Sequence, residues 1–383
     1  MKVFRIIYGI LPLIIIISCA TKAPLLEREP GIPAEKPAEI KIKPDSLTIL
    51  AAGDNLYHSV MIEAGEEGDY FEAYREVLSL TEKADIAMVN QETLLAGKDY
   101  GFSGYPLFNT PQKVGRALAE AGFSIVNHAT NHVMDKGEKA VYATMDFWDS
   151  ISGVELLGIH RSKEERSKPK LLYMNNITLG FLSYTYGTNG IKVPADKPFL
   201  VSLINTETMA EEINAIRPLC DFLVVSMHWG EEYQHEYSKN QAELAAFLAK
   251  HNVDLVIGHH PHVIQPIEYL DRSDGKKMLC FYSLGNFLSA QTQTPTLLGA
   301  MAYIKIERGK STEISEAGAI PLVTHYEKDF KGFKVYPLYL YPRELEEKHR
   351  QNQEKKLLSL EYMAALAAKI FGDREIKQNP FMR

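Results

Sequence analysis

Residues 254–263 are Asp254-Leu255-Val256-Ile257-Gly258-His259-His260-Pro261-His262-Val263, and this stretch decides the fold. Its apolar, β-branched first half is typical of a buried strand, and the glycine and three histidines that follow predict a loop at the strand end. Imidazole is the commonest protein ligand of metals, and two histidines separated by one residue can reach one ion from a single loop. The stretch therefore predicts a metal site at the end of a buried strand.

The same pattern occurs elsewhere in the chain: an apolar strand, then a glycine or asparagine, then a polar residue of the kind that binds metals. These polar residues are Asp54, Glu92, Asn131, His132, His228, His260 and His262. Open α/β sheets place their ligand sites at strand ends, so one sheet could bring the set together. Carboxylates, an amide and imidazoles suit a divalent cation such as Mn²⁺, Zn²⁺ or Fe²⁺, and the set is large enough for one or two ions.

Short strands that alternate with helices predict an α/β layered fold. A tight turn is expected at 283–287 beneath the site, with Asn286 as its polar candidate. Strands are predicted at 47–52, 86–89, 123–126, 154–157, 171–174, 178–184, 222–227, 253–257, 278–283, 298–306 and 314–323, and helices at 70–80, 112–121, 138–148, 209–216, 241–251 and 357–370.

The chain has 383 residues, of which 45% are apolar, and a net charge of −7, so its charge does not indicate a nucleic-acid partner. The N-terminus has Lys2 and Arg5, then an apolar run at 6–17, then Cys19. This arrangement resembles a bacterial lipoprotein signal, which implies cleavage before Cys19 and attachment of lipid to its sulfur. An uncleaved anchor and an ordinary secretory signal are the alternatives, and each places the body of the protein outside the cytoplasm.

The predicted organisation has four parts: a signal peptide at 1–18, a flexible tether at 19–45, a globular domain at 46–325 and a partly helical extension at 326–383. The tether is rich in Pro, Glu, Lys and Ala, a composition that does not form a core. Cys220 and Cys280 are isolated and are expected to be small buried side chains rather than a disulfide.

Six motifs resemble, in the same order, those of the CapA (poly-γ-glutamate capsule synthesis) family within the calcineurin-like metallophosphatase superfamily. They are Gly53-Asp54, Asn90-Gln91-Glu92-Thr93, the run from Asn131 to Gly137, His228-Trp229-Gly230-Glu231, the run from Gly258 to Val263, and the run from Ser283 to Phe287. The resemblance covers roughly 47–290. It implies a two-sheet α/β sandwich of the metallophosphatase type, with helices on the outer faces.

The resemblance also implies metal-binding roles. It assigns Asp54 and His262 to a first metal, Asn131, His228 and His260 to a second, and Glu92 to the carboxylate that bridges both. His132 would not bind metal but would donate a proton to the leaving oxygen or stabilise phosphate charge, because histidine can change its charge near neutral pH. Asp135 would either orient His132 or cap the next helix.

Two departures from the family pattern concern the first metal. The family usually has Asp-x-His at the first motif, whereas Asp54 is followed by Asn55 and Leu56, and His58 is the candidate replacement. The bridging residue is Glu92 rather than an aspartate. The first metal site is therefore expected to be weak, or the protein to work with one metal.

Five residues are candidates for substrate binding. They are His58, Asn90, Glu231, Tyr233 and Asn286. For Glu231 and Tyr233 the alternative is a solvated loop, and His259 is expected to be a core histidine with satisfied hydrogen bonds.

The resemblance implies a cell-envelope lipoprotein of capsule or related polymer synthesis, with phosphoesterase-like hydrolysis by a metal-activated water. Its substrate would be a phosphoester or an anionic polymer. Its partners would be the membrane, through the lipid, and the membrane proteins of a capsule machine. The alternative function is a non-catalytic accessory subunit of a membrane-bound complex for capsule polymer synthesis or export.

Overall fold

A computed structural model describes residues 45–66, 68–353, 358–372 and 377–381. The predicted signal peptide, the lipidation residue Cys19 and the tether up to residue 44 lie outside these ranges. Within them, no helix combines the length and the apolar character needed to cross a membrane.

The chain alternates strands and helices as the sequence predicts. The strands are β1 (Ser46–Leu56), β2 (Ile86–Gln91), β3 (Ile125–Asn127), β4 (Glu155–Leu157), β5 (Lys170–Met174), β6 (Ile177–Thr185), β7 (Phe222–His228), β8 (Leu255–His259), β9 (Ile267–Asp271), β10 (Lys277–Phe281), β11 (Asn286–Ser289), β12 (Leu298–Arg308), β13 (Thr312–Glu327) and β14 (Lys331–Pro337). The helices are α1 (Ser59–Glu66), α2 (Leu78–Thr81), α3 (Gln112–Glu120), α4 (Glu138–Asp149), α5 (Lys163–Ser167), α6 (Thr206–Ile216), α7 (Lys239–Lys250), α8 (Arg343–Lys348), α9 (Arg350–Gln353) and α10 (Leu360–Phe371).

The strands form two sheets. Over the described residues, the first sheet has the order β14-β13-β12-β1-β2-β3-β4, and β11 pairs with the end of β1. The second has the order β5-β6-β7-β8-β10-β9. β1 to β4 are parallel, as are β6, β7, β8 and β10, so each sheet has a parallel centre whose strand ends point the same way.

Alternation along the strands divides the core into layers. In β1, Leu47 and Ile49 pack in one cluster with Phe222 and Val224 of β7, between the two sheets. The intervening Leu50 packs with the outer layer that contains α1, α3 and α4. Successive side chains of a strand point to opposite faces, so both faces of β1 are apolar because both are covered.

The second sheet follows the same rule. Leu223 and Val225 of β7 pack with Met209 of α6 and Leu248 of α7 on the outer face. The predicted two-sheet α/β sandwich with outer helices is therefore confirmed.

Three local predictions differ from the structure. The helix expected at 70–80 is a 3₁₀ helix at Tyr70–Val77, whose first turn the Asp69 side chain caps, followed by the short α2. The turn expected at 283–287 ends early, because Asn286 opens β11 and pairs with β1. The predicted strands do not include β9 and β14, which are edge strands with exposed or half-buried residues over much of their length.

The boundary predicted between residues 325 and 326 falls inside β13. β14 pairs with β13 and completes the first sheet on that side. Cys220 and Cys280 have free thiols in the described part of the chain, as expected, but only Cys280 is buried and Cys220 is half-buried.

Candidate metal centre

The candidate site lies where parallel strands of the two sheets end side by side. Asp54 is near the end of β1, Glu92 follows β2, His228 ends β7, and His260 and His262 follow β8. The register of β1 is irregular on both sides of Asp54, and such an irregularity turns a side chain away from the regular pleat. The polar residues that follow the apolar strands therefore lie together at one end of the two sheets.

Close backbone packing explains the glycine that precedes the histidines. A Cβ atom on Gly258 would lie 2.0 Å from the carbonyl oxygen of Tyr282, so no other residue fits. The loop then bends sharply, with φ of 97° at His260 and 59° at His262. Such angles are strained for residues with a Cβ and are often found at functional sites.

Glu92 is the least satisfied group of the site. Its side chain is fully buried, and neither carboxylate oxygen has a hydrogen-bond partner in the described part of the chain. Oε1 lies 3.9 Å from Nε2 of His228 and 3.8 Å from Nε2 of His262. Burial raises the pKa of Glu92 well above its usual value, and the charge of Asp54 adds to this.

Ligand atoms of Glu92, His260 and His262 lie within 4.8 Å of one another. Nδ1 of His260 is buried and also has no hydrogen-bond partner among the described residues. Burial lowers the pKa of His260 to about 3 and the pKa of His228 well below its usual value. Both imidazoles are therefore neutral at physiological pH, the state in which a ring nitrogen can bind a cation.

Asp54, in contrast, is fully engaged by hydrogen bonds. Its Oδ1 accepts from Asn90 Nδ2 at 2.8 Å, and its Oδ2 accepts from the backbone N–H of His260 at 3.2 Å and from His262 Nδ1 at 3.1 Å. Burial opposes ionisation, but the hydrogen bond and charge of His262 leave the pKa of Asp54 below its usual value. Burial disfavours the charged form of His262, yet Glu92 and Asp54 raise its pKa to about 9.

Asn131 lies against the same site. Its Oδ1 accepts a hydrogen bond from His228 Nε2 at 2.9 Å, and its Nδ2 donates to Asn189 Oδ1 at 3.2 Å. On the other side of the His228 ring, Asn90 Nδ2 lies 3.4 Å from Nδ1. An amide oxygen beside the buried imidazole thus extends the donor set around Glu92.

His132 is held in place by Asp135. Nδ1 of His132 lies 2.8 Å from Oδ2 of Asp135, which also accepts from the backbone N–H of Phe108 at 2.7 Å. The edge of the His132 ring packs on Phe108, with centroids 4.6 Å apart. α4 begins at Glu138 without a side-chain cap, so the contacts of Asp135 are those of a residue that orients His132.

The candidate substrate residues are placed differently. Asn90 and Asn286 contact metal-site residues, and Asn286 Oδ1 lies 3.1 Å from Nδ1 of His262. His58 lies beside Phe108, and burial lowers its pKa to about 4. The ring of Tyr233 is 6.1 Å from that of His262, whereas Glu231 is exposed to solvent.

Sequence reasoning missed several residues at the site. Nδ1 of His259 has no hydrogen-bond partner among the described residues and lies 3.7 Å from Oδ1 of Asp54, so the expectation of a satisfied core histidine is wrong. The ring of Tyr186 is parallel to that of His228 and tilted against that of His260. Tyr186 directly follows β6, so the rule that found the other residues would have found it. Asn189 and Glu232 lie in loops and carried no such signal.

The donor set fits a divalent cation. A buried carboxylate with two unpartnered oxygens, the neutral imidazoles of His228 and His260 and an amide oxygen are ligands that Mn²⁺, Zn²⁺ and Fe²⁺ accept. Burying Glu92 without a partner costs free energy, and a bound cation would offset that cost.

Comparison with known proteins finds relatives that are named as capsule biosynthesis proteins. The PGA biosynthesis protein CapA of Bacillus subtilis (strain 168) is 28% identical over 196 residues, which are 50% of this chain and 50% of that protein. The capsule biosynthesis protein CapA of Bacillus anthracis is 29% identical over 214 residues, which are 54% of this chain and 49% of that protein. The chain thus matches about half the length of these relatives.

Among solved structures, the NAD nucleotidase NadN of Haemophilus influenzae has 11% identity and a TM-score of 0.45, with 85% of this chain and 67% of that chain covered. A 5'-nucleotidase precursor of Thermus thermophilus has 13% identity and a TM-score of 0.43, with coverage of 73% and 54%.

The family described as "Bacterial capsule synthesis protein PGA_cap" matches residues 48–291. This segment is more than half of the chain, and it contains the strand ends that carry every residue of the candidate metal centre named above. The chain therefore belongs to the PGA_cap capsule synthesis family, within the metallophosphatase-like superfamily.

Proposed function

We propose that this protein is a metal-dependent phosphoesterase that acts in the synthesis of a capsule or related envelope polymer. The observation that carries the proposal is Glu92, buried with two unpartnered oxygens beside His260 and His262. A carboxylate is rarely buried in this way unless it binds a cation or takes part in chemistry.

The proposed ligands of the cation are Glu92, His260 and His262, with His228 and Asn131 beside them. The chemistry that a divalent cation supplies in such a site is acidification of a water molecule and neutralisation of phosphate charge. Asp54 holds the hydrogen bonds described above, which orient His262 and the backbone of His260. We therefore assign the site one cation, with Asp54 as a supporting residue.

His132 supplies the acid. The Asp135 carboxylate fixes the ring through Nδ1, which leaves Nε2 as the nitrogen that can donate a proton to the leaving oxygen. Phe108 packs on the same ring and restricts its rotation. A phosphoester whose leaving group is a poor one needs this proton most, since an alkoxide is a strong base.

The cellular setting is also part of the proposal. The family and its named relatives support a role in capsule synthesis, and the pattern of residues 1–19 supports a lipid at Cys19 and a place in the cell envelope. Membrane proteins of the polymer machine are the proposed partners.

The first test combines metal content with hydrolysis by the full chain, purified without chelator. We expect about one equivalent of a transition metal and metal-dependent hydrolysis of bis(p-nitrophenyl) phosphate. For an ester with a phenyl leaving group, His132→Ala should lower kcat/KM roughly 100-fold, because general acid catalysis contributes about 10²–10⁴-fold. For an ester with a p-nitrophenyl leaving group the loss should be only a few-fold, because that leaving oxygen is a weak base and hardly needs the proton. His251→Ala, at the end of α7, is the matched control.

The accessory-subunit alternative has its own outcome in this experiment. Bound metal without hydrolysis of either ester would favour a non-catalytic metal protein. A His132→Ala variant that hydrolyses both esters as fast as the wild type would instead remove His132 from the role of general acid.

A further inference from the structure

Two exposed tyrosines lie beside the candidate metal centre, and a third lies one ring away from His132. The ring of Tyr186 lies 4.7 Å from that of His260, and the ring of Tyr233 lies 6.1 Å from that of His262. Their exposed fractions are 48% and 42%, and Tyr105, in the loop that leads to Phe108, is 77% exposed. Tyr105 packs edge-on against Phe108, which in turn contacts His132. Tyrosine rings thus border the proposed metal ligands, and Tyr105 lies next to the phenylalanine that contacts the proposed acid.

Tyr233 is held in a strained conformation. Its φ is 64°, a value unusual for an aromatic residue, and its backbone N–H donates to Pro261 O at 2.8 Å. Its hydroxyl accepts from Gln291 Nε2 at 3.3 Å, and Gln291 Oε1 accepts from Asn286 Nδ2 at 2.8 Å. Strain of this kind persists at ligand sites, where the surroundings fix a side chain in one position.

Glu232 is an exposed carboxylate that directly precedes Tyr233 in the chain. Burial and the charge of Glu232 raise the pKa values of Tyr186 and Tyr233 to about 12, so its carboxylate acts on both rings. The same charge reaches Glu92 and His262. Within the described residues, the main charges acting on these four groups come from carboxylates and histidines, not from Lys or Arg.

Tyrosine faces combined with a carboxylate form a site for an organic cation, because the face of an aromatic ring is negative and attracts ammonium groups. A polyanionic segment would be repelled by Glu232 at this position. We propose that Tyr105, Tyr186, Tyr233 and Glu232 bind an alkylammonium group carried by the organic part of the phosphoester substrate. This inference rests on the proposed phosphoesterase function and names its substrate class.

The test compares two esters that differ in one atom. p-Nitrophenyl phosphocholine carries a quaternary ammonium group, and p-nitrophenyl 3,3-dimethylbutyl phosphate has carbon in place of that nitrogen. We expect the full chain, loaded with metal, to show about tenfold higher kcat/KM for the cationic ester, the size of a desolvated cation–π contact. Equal kcat/KM values for the two esters would overturn the proposal.

Substitutions locate the effect. Glu232→Gln and Tyr186→Ala should each lower the ratio of kcat/KM for the two esters to about 2–3, because each removes one wall of the site. Glu236→Gln, an exposed glutamate of the same loop, is the control and should keep the full ratio. A ratio that Glu232→Gln and Glu236→Gln change equally would assign the preference to general charge, against the proposal.

A binding measurement separates this inference from the proposed function. If neither ester is hydrolysed, the phosphoesterase proposal fails. Titration calorimetry of phosphocholine against 3,3-dimethylbutyl phosphate still decides the ammonium site. Tighter binding of phosphocholine by about tenfold, lost in Glu232→Gln, supports the site, and equal affinity rejects it.

Discussion

Glu92 combines two properties that conflict in a protein without metal: it is charged when exposed, and here it is buried without a hydrogen bond from the described residues. We predict that Glu92→Gln stabilises the metal-free protein at neutral pH by about 1–3 kcal/mol, since Gln leaves a polar group in place but cannot carry the negative charge that burial disfavours. The same change should abolish the stabilisation by metal, which amounts to about 2.7 kcal/mol at a hundredfold excess over Kd. Urea unfolding with chelator and with Mn²⁺ or Zn²⁺ measures both effects.

Relative to the wild type, Glu92→Gln should raise the free energy of unfolding in chelator and lower it with metal. This change of sign is the diagnostic result. Glu236→Gln is the matched control, because the residue is exposed and should respond to neither condition. If Glu92→Gln destabilised the protein equally with and without metal, Glu92 would be a structural residue and the metal centre would need another carboxylate.

The residues of the site were predictable where a strand delivers them. Asp54, Glu92, His228 and His260 each follow an apolar run, so the period of the strand locates them. Glu232 gave no such signal, because its position depends on a loop whose path is set by tertiary contacts such as that of Tyr233 with Pro261. The sequence also does not indicate which carboxylate has hydrogen-bond partners. Only the structure shows that Asp54 has them and that Glu92 has none among the described residues.

At the scale of elements, β8 is where the packing of the second sheet and the placement of the histidines depend on each other. We predict that Gly258→Ala lowers the free energy of unfolding by at least about 2 kcal/mol, because its Cβ would meet the carbonyl of Tyr282 and the backbone must shift. It should also weaken metal binding, since His260 and His262 follow directly. Urea unfolding and elemental analysis of the purified variant check the two effects.

Gly309→Ala provides the comparison. This residue lies between β12 and β13, and a Cβ there would come no closer than 3.9 Å to the nearest neighbouring atom, Ser311 O. We expect a change in unfolding free energy below about 1 kcal/mol. A Gly258→Ala variant as stable as Gly309→Ala would show that β8 and β10 can separate locally, and the close approach would not explain the glycine.

Element prediction succeeded where burial is two-sided. β7 and β8 are continuous apolar runs because both faces are covered, and such runs are evident in the sequence. β9 is five residues long, pairs only with β10 and carries Glu268 and Asp271, so its apolar signal is short and interrupted by charge. β14 has a short apolar alternation at Phe333 and Val335, but only its pairing with β13 shows that it belongs to the first sheet.

For the whole molecule, the two sheets meet at the metal centre, so the fold and the site share one set of contacts. The first sheet supplies Asp54, Glu92 and Asn131, from β1 and from the loops after β2 and β3, and the second supplies His228 and His260. Charges buried at this junction are stable only when they are paired or bind a cation. The global stability of the protein should therefore depend on metal and on pH.

His128 offers a measure of the pH effect away from the metal ligands. The residue is fully buried, its Nε2 accepts from Trp148 Nε1 at 2.8 Å, and burial lowers its pKa to about 3. In the unfolded chain a histidine has a pKa of about 6.5. Between these values the unfolded state binds one more proton than the folded state, so acid lowers stability by about 1.4 kcal/mol per pH unit through this group.

We predict that His128→Gln, which keeps an acceptor for Trp148, reduces the slope of unfolding free energy against pH between 6 and 4 by about 1 kcal/mol per pH unit. Urea titrations in chelator, followed by the fluorescence of Trp148 and Trp229, give that slope without a contribution from metal. His251→Gln, at the C-terminal end of α7, is the control: it also replaces one imidazole by an amide, but outside the pocket of His128. Because protons enter the unfolded chain, the variant should lose less stability than the wild type as pH falls. A slope identical to that of the wild type would mean that the pocket of His128 opens to admit a proton before the protein unfolds.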